Sequence, residues 1–494
     1  MTKLTVDTDI SGEIIASLFP EQRERAEIFE FLKSVVDRYS NHIPSLKINP
    51  QMSKAEISEI LSCYDFDSSQ PSAVVLSDVL NMLEQGIVHV TSPNYFGLFN
   101  PSTSLWGCVA DFITGLYNPQ LAVWSHAPAC VDIEEKLVHY LGQLAGFDAK
   151  TVGGSFTTGG AEANCTAMIC ALTQKVKGFA QHGLQIQAKR PVIYISADSH
   201  LAWLKIALQC GLGHDAVRLV DVDSAGKMDI VRLNAVLRED LENGFMPFML
   251  VGTAGTTNAG SIDPLRELAV VAKEYDLYFH IDAAWAGAIL LSEQHASLLT
   301  GIAEADSFTL DAHKWLTAPM GTGIFICADK GLLSEPFAVT TSYMPVGDSI
   351  NKDPYLNSVQ WSRRFNGLRL FLPLAILGRK GFSKMIDYQV ELGDYLKMAL
   401  EQNDWVVVNV TTLPVICFRD VLNGDVDLIL EQVLTVNKVW LSSTVFAKNK
   451  VFRTCITSFR SVTADVDNLI TALNNARSLV YRTAITPDQS TLEQ

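Results

Sequence analysis

The chain has 494 residues, enough to bury a substantial core and to form two or three lobes. Its net charge of −16, without any cluster of basic residues, argues against nucleic-acid and membrane-surface partners. The nine cysteines are scattered without a CxxC pair, and no run approaches the ~18 apolar residues of a membrane helix. We therefore expect a chain without a membrane span, located in the reducing cytoplasm.

The N-terminal part predicts two helices, over residues 21–39 and 53–63, because apolar residues recur there at helical spacing. Two segments rich in aromatic and turn-forming residues follow, residues 92–101 (SPNYFGLFNP) and 117–130 (YNPQLAVWSHAPAC). The first segment is either a packed aromatic loop or the wall of a pocket. In the second, Asn118 and Gln120 offer polar contacts to the side chain of a bound molecule.

The next distinctive segment is a glycine-rich loop, residues 153–164 (GGSFTTGGAEAN), which leads into an apolar helix ending near residue 175. Glycines at the start of a helix let backbone N–H groups close on a phosphate, and the helix dipole favours the anion. The loop matches neither GxGxxG nor a P-loop, so nucleotide binding is disfavoured. A purely structural glycine pair remains the alternative, and Gly160 and Ala161 are the candidate phosphate contacts.

Four apolar runs end in polar residues, as expected of strands whose carboxyl ends face a ligand. They end at or near His200 (PVIYISADSH), Thr253 (FMLVGT), Asp282 (LYFHID) and Lys314 (SFTLDAHK). A lone histidine at such a place is more often structural. The carboxyl ends of strands in an open α/β sheet lie at one edge, so we expect the four runs to share a site.

Lys314 and Asp282 give this site its chemistry. An enclosed lysine with a lowered pKa is a nucleophilic amine that forms imines, although a lysine at a strand end can also extend its ammonium into solvent. A buried strand-end aspartate needs a cation or several donors. Pyridoxal 5'-phosphate requires both groups, since its aldehyde takes a lysine imine and its ring nitrogen needs a carboxylate.

The C-terminal third predicts a long polar segment and then a smaller lobe. Residues 337–360 are mostly polar and too long for a plain connector, which indicates a mobile lid. A helical stretch over 368–400, with a break near 378–381, leads to alternating strands and a closing helix over 465–481.

Together, HIDAAWAG, SFTLDAHKWL, TTGGAEAN and ADSH resemble the group II pyridoxal-phosphate-dependent amino-acid decarboxylases, and the resemblance runs from about residue 75 to 480. It implies an α/β fold of PLP fold-type I, with a large domain built on a mostly parallel seven-stranded sheet and a smaller C-terminal α+β domain. The expected domains are an N-terminal helical segment (1–110) packing on a partner subunit, a large domain (111–385) and a small domain (386–494). The resemblance also implies a homodimer with its active site at the interface.

The resemblance assigns roles to individual residues. Lys314 takes the imine, Asp282 holds the ring nitrogen, and His200 stacks on the ring. A tyrosine of the lid, Tyr343 or alternatively Tyr355, protonates the product. The remaining cofactor contacts are predicted to be Gly160, Ala161, Thr253, Ala284 and His313. No metal ion is predicted.

The resemblance implies an L-amino acid as substrate, which loses CO2 to leave the amine, and Leu98, Phe99 and Gln120 are the candidate substrate contacts. Aromatic-specific members of the family usually have Tyr-Phe where this chain has Leu98-Phe99, so an aromatic substrate is favoured only modestly over glutamate, cysteine sulfinate or 2,4-diaminobutyrate. Another fold-type I enzyme, such as an aminotransferase that uses Arg453, is a further alternative. A catalytically silent binding protein is disfavoured because Lys314 and Asp282 are both present.

Overall fold

The computed structural model describes residues 15–185, 187–339 and 353–485. The chain forms two compact units, which divide between Lys47 and Ile48. In the first unit, helix α1 (Gln22–His42) confirms the helix predicted over residues 21–39. All the elements named below belong to the second unit.

A seven-stranded sheet is the centre of the second unit. Its strands are β1 (Gly153–Thr157), β2 (Pro191–Ser196), β3 (Val217–Val220), β4 (Met246–Thr253), β5 (Tyr278–Asp282), β6 (Ser307–Asp311) and β7 (Gly323–Cys327). They lie in the order β1-β7-β6-β5-β4-β2-β3. Strands β2 to β6 are parallel, whereas β7 runs antiparallel to both β6 and β1. The mostly parallel seven-stranded sheet is therefore confirmed.

Helices cover both faces of this sheet, which is the arrangement that parallel strands require. The described helices of the second unit are α2 (Lys54–Leu61), α3 (Ser72–Gln85), α4 (Leu105–Tyr117), α5 (Pro128–Leu144), α6 (Gly160–Lys175), α7 (Phe179–His182), α8 (Ala202–Gln209), α9 (Ile230–Glu242), α10 (Leu265–Glu274), α11 (Gly331–Phe337), α12 (Leu368–Glu401), α13 (Val426–Val436) and α14 (Thr463–Ile485). The helical path of α12 is interrupted at Gly378, whose φ of 66° is open to glycine, as the break predicted near 378–381 required.

The C-terminal part of the unit has its own antiparallel sheet. Its strands are β8 (Trp405–Val407), β9 (Val415–Asp420), β10 (Ser442–Phe446) and β11 (Asn449–Cys455), in the order β10-β11-β9-β8. Trp405, Phe418 and Phe452 form a fully buried aromatic centre between this sheet and its helices. This second core confirms the predicted α+β lobe.

Apolar and polar side chains alternate along β5 and β6, so the two faces of the large sheet differ in character there. Phe279 and Ile281 on β5 and Phe308 and Leu310 on β6 belong to one hydrophobic core. The intervening residues point to the opposite face, because successive strand side chains alternate. These residues are polar, and they meet the N-terminal turns of α6.

Part of the predicted lid, residues 340–352, lies outside the described ranges, and Tyr343 lies within that part. No helix in the described ranges has the length and apolar character needed to span a membrane.

Candidate active site

A cleft opens where the carboxyl ends of β4, β5 and β6 meet the first turn of α6. It is lined by Gly160, Ala161, Asn164, His200, Ala202, Thr253, Gly255, Thr257, Asp282, Ala284, Trp285, Asp311 and Lys314. Seven of the sequence-predicted residues are therefore together in one place: Gly160, Ala161, His200, Thr253, Asp282, Ala284 and Lys314. The parallel strands bring them together, since their ends share one edge of the sheet.

Asp282 ends β5 and is almost completely buried. Its Oδ2 accepts a hydrogen bond from Asn164 Nδ2 at 2.8 Å, and its Oδ1 accepts one from the backbone N–H of Ala284 at 3.2 Å. A buried carboxylate needs donors of this kind, because burial without them penalises its charge. The carboxylate retains acceptor capacity toward the cleft, since each oxygen has two lone pairs.

Lys314 lies opposite, in the turn that follows β6. Its Nζ is 3.1 Å from Oδ2 of Asp311, a carboxylate that is 2% exposed. The other oxygen of Asp311, Oδ1, is buried and has no hydrogen-bond partner within the described part of the chain. The lysine is therefore paired rather than extended into solvent.

His313 is beside this pair and behind the cleft. Its Nε2 lies 3.8 Å from Asp311 Oδ2, and its Nδ1 is 3.2 Å from the N–H of Thr322. Burial lowers the pKa of the imidazole, although the Asp311 carboxylate acts in the opposite direction. This histidine is not part of the cleft lining, but it adjoins the lining through Lys314, the next residue in the chain, and through Asp311.

The first turn of α6 provides a cradle for an anion. The leading N–H groups of a helix have no acceptor within the helix, and Gly160 and Ala161 supply two of them here. A Cβ on Gly160 would lie 2.9 Å from Asp311 Oδ2 and 3.3 Å from Ala284 Cβ. Glycine thus permits a close approach of the helix start to Asp311 and Ala284 that a side chain would obstruct.

Thr253 ends β4 and is held in place from two sides. Its hydroxyl lies 2.5 Å from Ser199 Oγ, and its N–H donates to Asp263 Oδ2 at 2.7 Å. Burial raises the pKa of the Asp263 carboxyl to about 7, although the two backbone N–H groups that donate to this carboxyl act in the opposite direction. His200 lies at the exposed rim, where its Nδ1 accepts a hydrogen bond from the Ala202 N–H at 3.2 Å.

Trp285 forms an aromatic wall of the cleft, and Phe99, which is not itself in the lining, packs against it. Phe99 stacks on Trp285, a cleft-lining residue, with ring centroids 4.4 Å apart. Trp285 Nε1 donates to the carbonyl of Gly255 at 2.6 Å, which fixes the indole. Arg453 lies over the Phe99 ring and donates to the Gly97 and Thr257 carbonyls, so it joins this wall to the small lobe.

The other predicted contacts lie elsewhere. Leu98 is half exposed and outside the cleft lining, and the side chain of Gln120 accepts from the Ala122 N–H at 2.8 Å, within its own turn. Tyr355 is buried against Ala122 and Val123.

Asn164 and Asp311 are functional candidates to which the sequence motifs assign no role. The sequence nevertheless carries a pattern that indicates them. Every second residue of β5 and β6 is polar or capable of hydrogen bonding on the same face: Tyr278, His280 and Asp282, then Ser307, Thr309 and Asp311. Such a stripe inside a buried parallel sheet requires a polar partner from the covering helix.

A strand-end lysine and aspartate facing one cleft, with a glycine-led helix terminus between them, define an α/β enzyme site of the pyridoxal-phosphate type. The described residues fit that cofactor, because the cradle at Gly160 is open and Asp282 retains acceptor capacity toward the cleft.

Comparison with known proteins identifies the family. The profile described as "Pyridoxal-dependent decarboxylase conserved domain" matches residues 65–421. An aromatic-L-amino-acid decarboxylase of Bacillus atrophaeus is 26% identical over 449 residues, covering 87% of this chain and 91% of that protein. Tryptophan decarboxylase 2 of Oryza sativa subsp. japonica is 27% identical over 451 residues, covering 85% and 88%.

Solved structures share the fold. Mouse CSAD in its apo form superposes with a TM-score of 0.85 at 24% identity, covering 92% of this chain and 99% of that chain. Oryza sativa TDC with PLP and tryptamine gives a TM-score of 0.87 at 19% identity, covering 93% and 98%. The chain belongs to the pyridoxal-dependent decarboxylase family. It is a carboxy-lyase that uses pyridoxal 5'-phosphate to decarboxylate an amino acid.

Proposed function

We propose that the enzyme converts an aromatic L-amino acid into its amine and CO2. The observation that carries this proposal is the aromatic wall beside Lys314, formed by Trp285 with Phe99 stacked on it. Flat apolar rings favour an aromatic side chain through buried area and offset stacking. Among the cleft-lining residues in the described part of the chain, Lys314 is the only Lys or Arg, so the side-chain carboxylate of an acidic substrate would lack a counter-charge.

The residues of the cleft divide the work. Lys314 Nζ would hold the cofactor covalently, and Asp311 Oδ2, 3.1 Å away, is placed to take the proton that Nζ loses. Asp282 would keep a proton on the ring nitrogen, and His200 would cover the ring face. When bound, pyridoxal phosphate supplies the electron sink for the broken bond. The apolar wall excludes water, which strengthens the Asp282 contact.

The proton donor to the product remains assigned to Tyr343, on the family resemblance. Tyr355, the alternative, is buried against Ala122 and Val123. A general acid contributes roughly 10²- to 10⁴-fold to a rate. Amine yield should therefore fall by that order in Tyr343→Phe and remain unchanged in Tyr355→Phe, and the reverse pattern would exchange the two roles.

The substrate class is tested with purified protein loaded with pyridoxal phosphate. CO2 release is measured for L-tryptophan, L-tyrosine and L-phenylalanine against L-glutamate, L-cysteine sulfinate and L-2,4-diaminobutyrate. We expect turnover of at least one aromatic amino acid and none in Lys314→Ala, which should also lose the cofactor absorbance near the visible edge. Turnover confined to the acidic or diamino substrates would contradict the proposal.

We further propose a cytoplasmic homodimer, with the domains divided near residues 110 and 385. Helix α4 supports the dimer, since Leu105, Leu116 and Tyr117 are each more than half exposed on one apolar helix. Exposed apolar surface on this scale indicates a protein contact. All nine cysteines are free thiols, which supports a reducing location.

A further inference from the structure

The side chain of Asn164 is fixed by hydrogen bonds on both its atoms. It lies in the second turn of α6 and is 3% exposed. Its Nδ2 donates to Asp282 Oδ2 at 2.8 Å, while its Oδ1 accepts from the Thr309 hydroxyl at 2.7 Å and lies 3.1 Å from His280 Nε2. Turning the amide over would place its NH2 group against the Thr309 hydroxyl and its oxygen against a carboxylate, so the amide has one stable orientation.

That orientation determines the direction of a longer chain of hydrogen bonds. Asn164 Oδ1 only accepts, so its contact with His280 Nε2 is favourable when Nε2 carries the ring proton. His280 Nδ1 then accepts from the Ser307 hydroxyl at 2.8 Å, and Ser307 Oγ in turn accepts from the Tyr278 hydroxyl at 2.8 Å. Burial lowers the pKa of His280 to about 4, so the ring is neutral, as this arrangement requires.

The chain therefore delivers one N–H to one oxygen of Asp282. This donation fixes the plane of the carboxylate, because Asn164 is itself held by contacts with Thr309 on β6 and His280 on β5.

We propose that Asn164 is a positioning residue, which holds the Asp282 carboxylate aimed at the ring nitrogen of bound pyridoxal phosphate. The inference rests on the role of Asp282 in the proposed function. It adds that the strength of the contact between Asp282 and the ring nitrogen depends on the hydrogen bond that Asn164 donates to Asp282. The alternative is that Asn164 only joins α6 to the sheet, in which case its loss weakens the binding of every ligand equally.

Two ligands separate these alternatives: pyridoxal 5'-phosphate and its 1-deaza analogue, in which a ring C–H replaces the nitrogen. Their dissociation constants are measured with the apo enzyme by fluorescence or calorimetric titration, and the quantity of interest is their ratio. The wild type should prefer the natural cofactor, and Asp282→Ala should remove that preference. We expect Asn164→Ala and the isosteric Asn164→Asp to reduce the preference about 10- to 100-fold, the range of a hydrogen bond to a charged group.

Asn409 provides the matched control. It is also buried, at 6% exposed, and its side chain makes three hydrogen bonds, to Ala259, Val415 and Cys417, but it does not contact Asp282. Asn409→Ala should leave the ratio unchanged.

Three outcomes decide the matter. A reduced ratio in both Asn164 variants, with Asn409→Ala unchanged, supports the proposal. An unchanged ratio, with both ligands weakened alike, overturns it and leaves a structural role. If Asp282→Ala keeps the wild-type preference for pyridoxal phosphate over the 1-deaza analogue, Asp282 does not lie at the ring nitrogen. That result would contradict the proposed function itself. If Asn164→Ala does not fold, Asn164→Asp, which keeps the side-chain volume, gives the answer.

Discussion

The neutral imidazole of His280 lies two residues before Asp282 on the same face of β5, fully buried. Burial lowers its pKa from the ordinary 6.5 to about 4. In the folded protein the ring therefore stays uncharged over a pH range in which the same ring would bind a proton in the unfolded chain. A single buried side chain thus couples the polar network behind the site to pH.

We predict that the free energy of unfolding falls as the pH is lowered from 6.5 toward 4. In this window the unfolded state takes up a proton on His280 that the native state does not, so acid favours unfolding, by up to about 3 kcal/mol for this group. Guanidinium titrations at several pH values measure the slope, and His280→Gln, which does not titrate, should have a shallower slope. Equal slopes in the two proteins would show that other groups dominate.

At the scale of elements, helix α6 carries two parts of the site at once. Its first turn presents the cradle at Gly160 and Ala161, and its second turn sends Asn164 into the sheet. The cradle and the contact of Asn164 with the sheet are compatible because one helical turn separates them along the helix axis. Strands β5 and β6 present their polar residues on the face that α6 covers. A change in the first turn should therefore affect the anion and leave the network intact.

Gly160→Ala should weaken pyridoxal phosphate binding by roughly tenfold or more with little loss of thermal stability. The added Cβ would lie 2.9 Å from Asp311 Oδ2, tighter than ordinary contact, inside the space proposed for the phosphate. Alanine also suits a helix better than glycine, which limits any cost in stability.

Gly331→Ala is the control for this prediction, because Gly331 likewise begins a helix, α11, and its Cβ would meet only the flexible Asp329 carboxylate. Dissociation constants for the cofactor and melting temperatures of both variants are compared with those of the wild type. Unchanged cofactor affinity in Gly160→Ala would place the phosphate elsewhere.

At the scale of the whole molecule, the exposed apolar side of α4 is the feature that a single chain leaves unexplained. Leu105 and Leu116 are 62% and 57% exposed, as are the neighbouring apolar residues Phe112 and Tyr117 at 53% and 78%. A second copy of the chain is the occupant we propose. If the active site lies at that interface, assembly and activity depend on each other.

We predict that Leu116→Asp shifts the protein from dimer to monomer and lowers its decarboxylase activity in parallel. A charge buried in an apolar interface is strongly unfavourable. Light scattering coupled to size-exclusion chromatography measures the mass, and Val231→Asp, at an exposed apolar position on α9, should remain dimeric. A Leu116→Asp dimer with full activity would contradict the proposed interface.

Much of this molecule could be predicted from local sequence patterns. The interruption of the long C-terminal helix falls at Gly378, as expected. The strand-end positions of Thr253, Asp282 and Lys314 followed from apolar runs that stop at polar residues. These features are local, because burial, turn chemistry and backbone freedom act within a few neighbouring residues.

The tertiary structure decided what those patterns left open. Asp311 pairs with Lys314, and Asn164 joins Asp282 to His280, only because a helix and two strands far apart in sequence pack together. The structure also shows that the side chain of Gln120 bonds within its own turn, whereas Phe99 stacks on Trp285. Composition alone could not tell which of these two predicted contacts lies near the site. The sequence by itself therefore determined the class of chemistry, through residues that this cofactor demands. The partners of those residues depend on long-range packing, which no local pattern encodes.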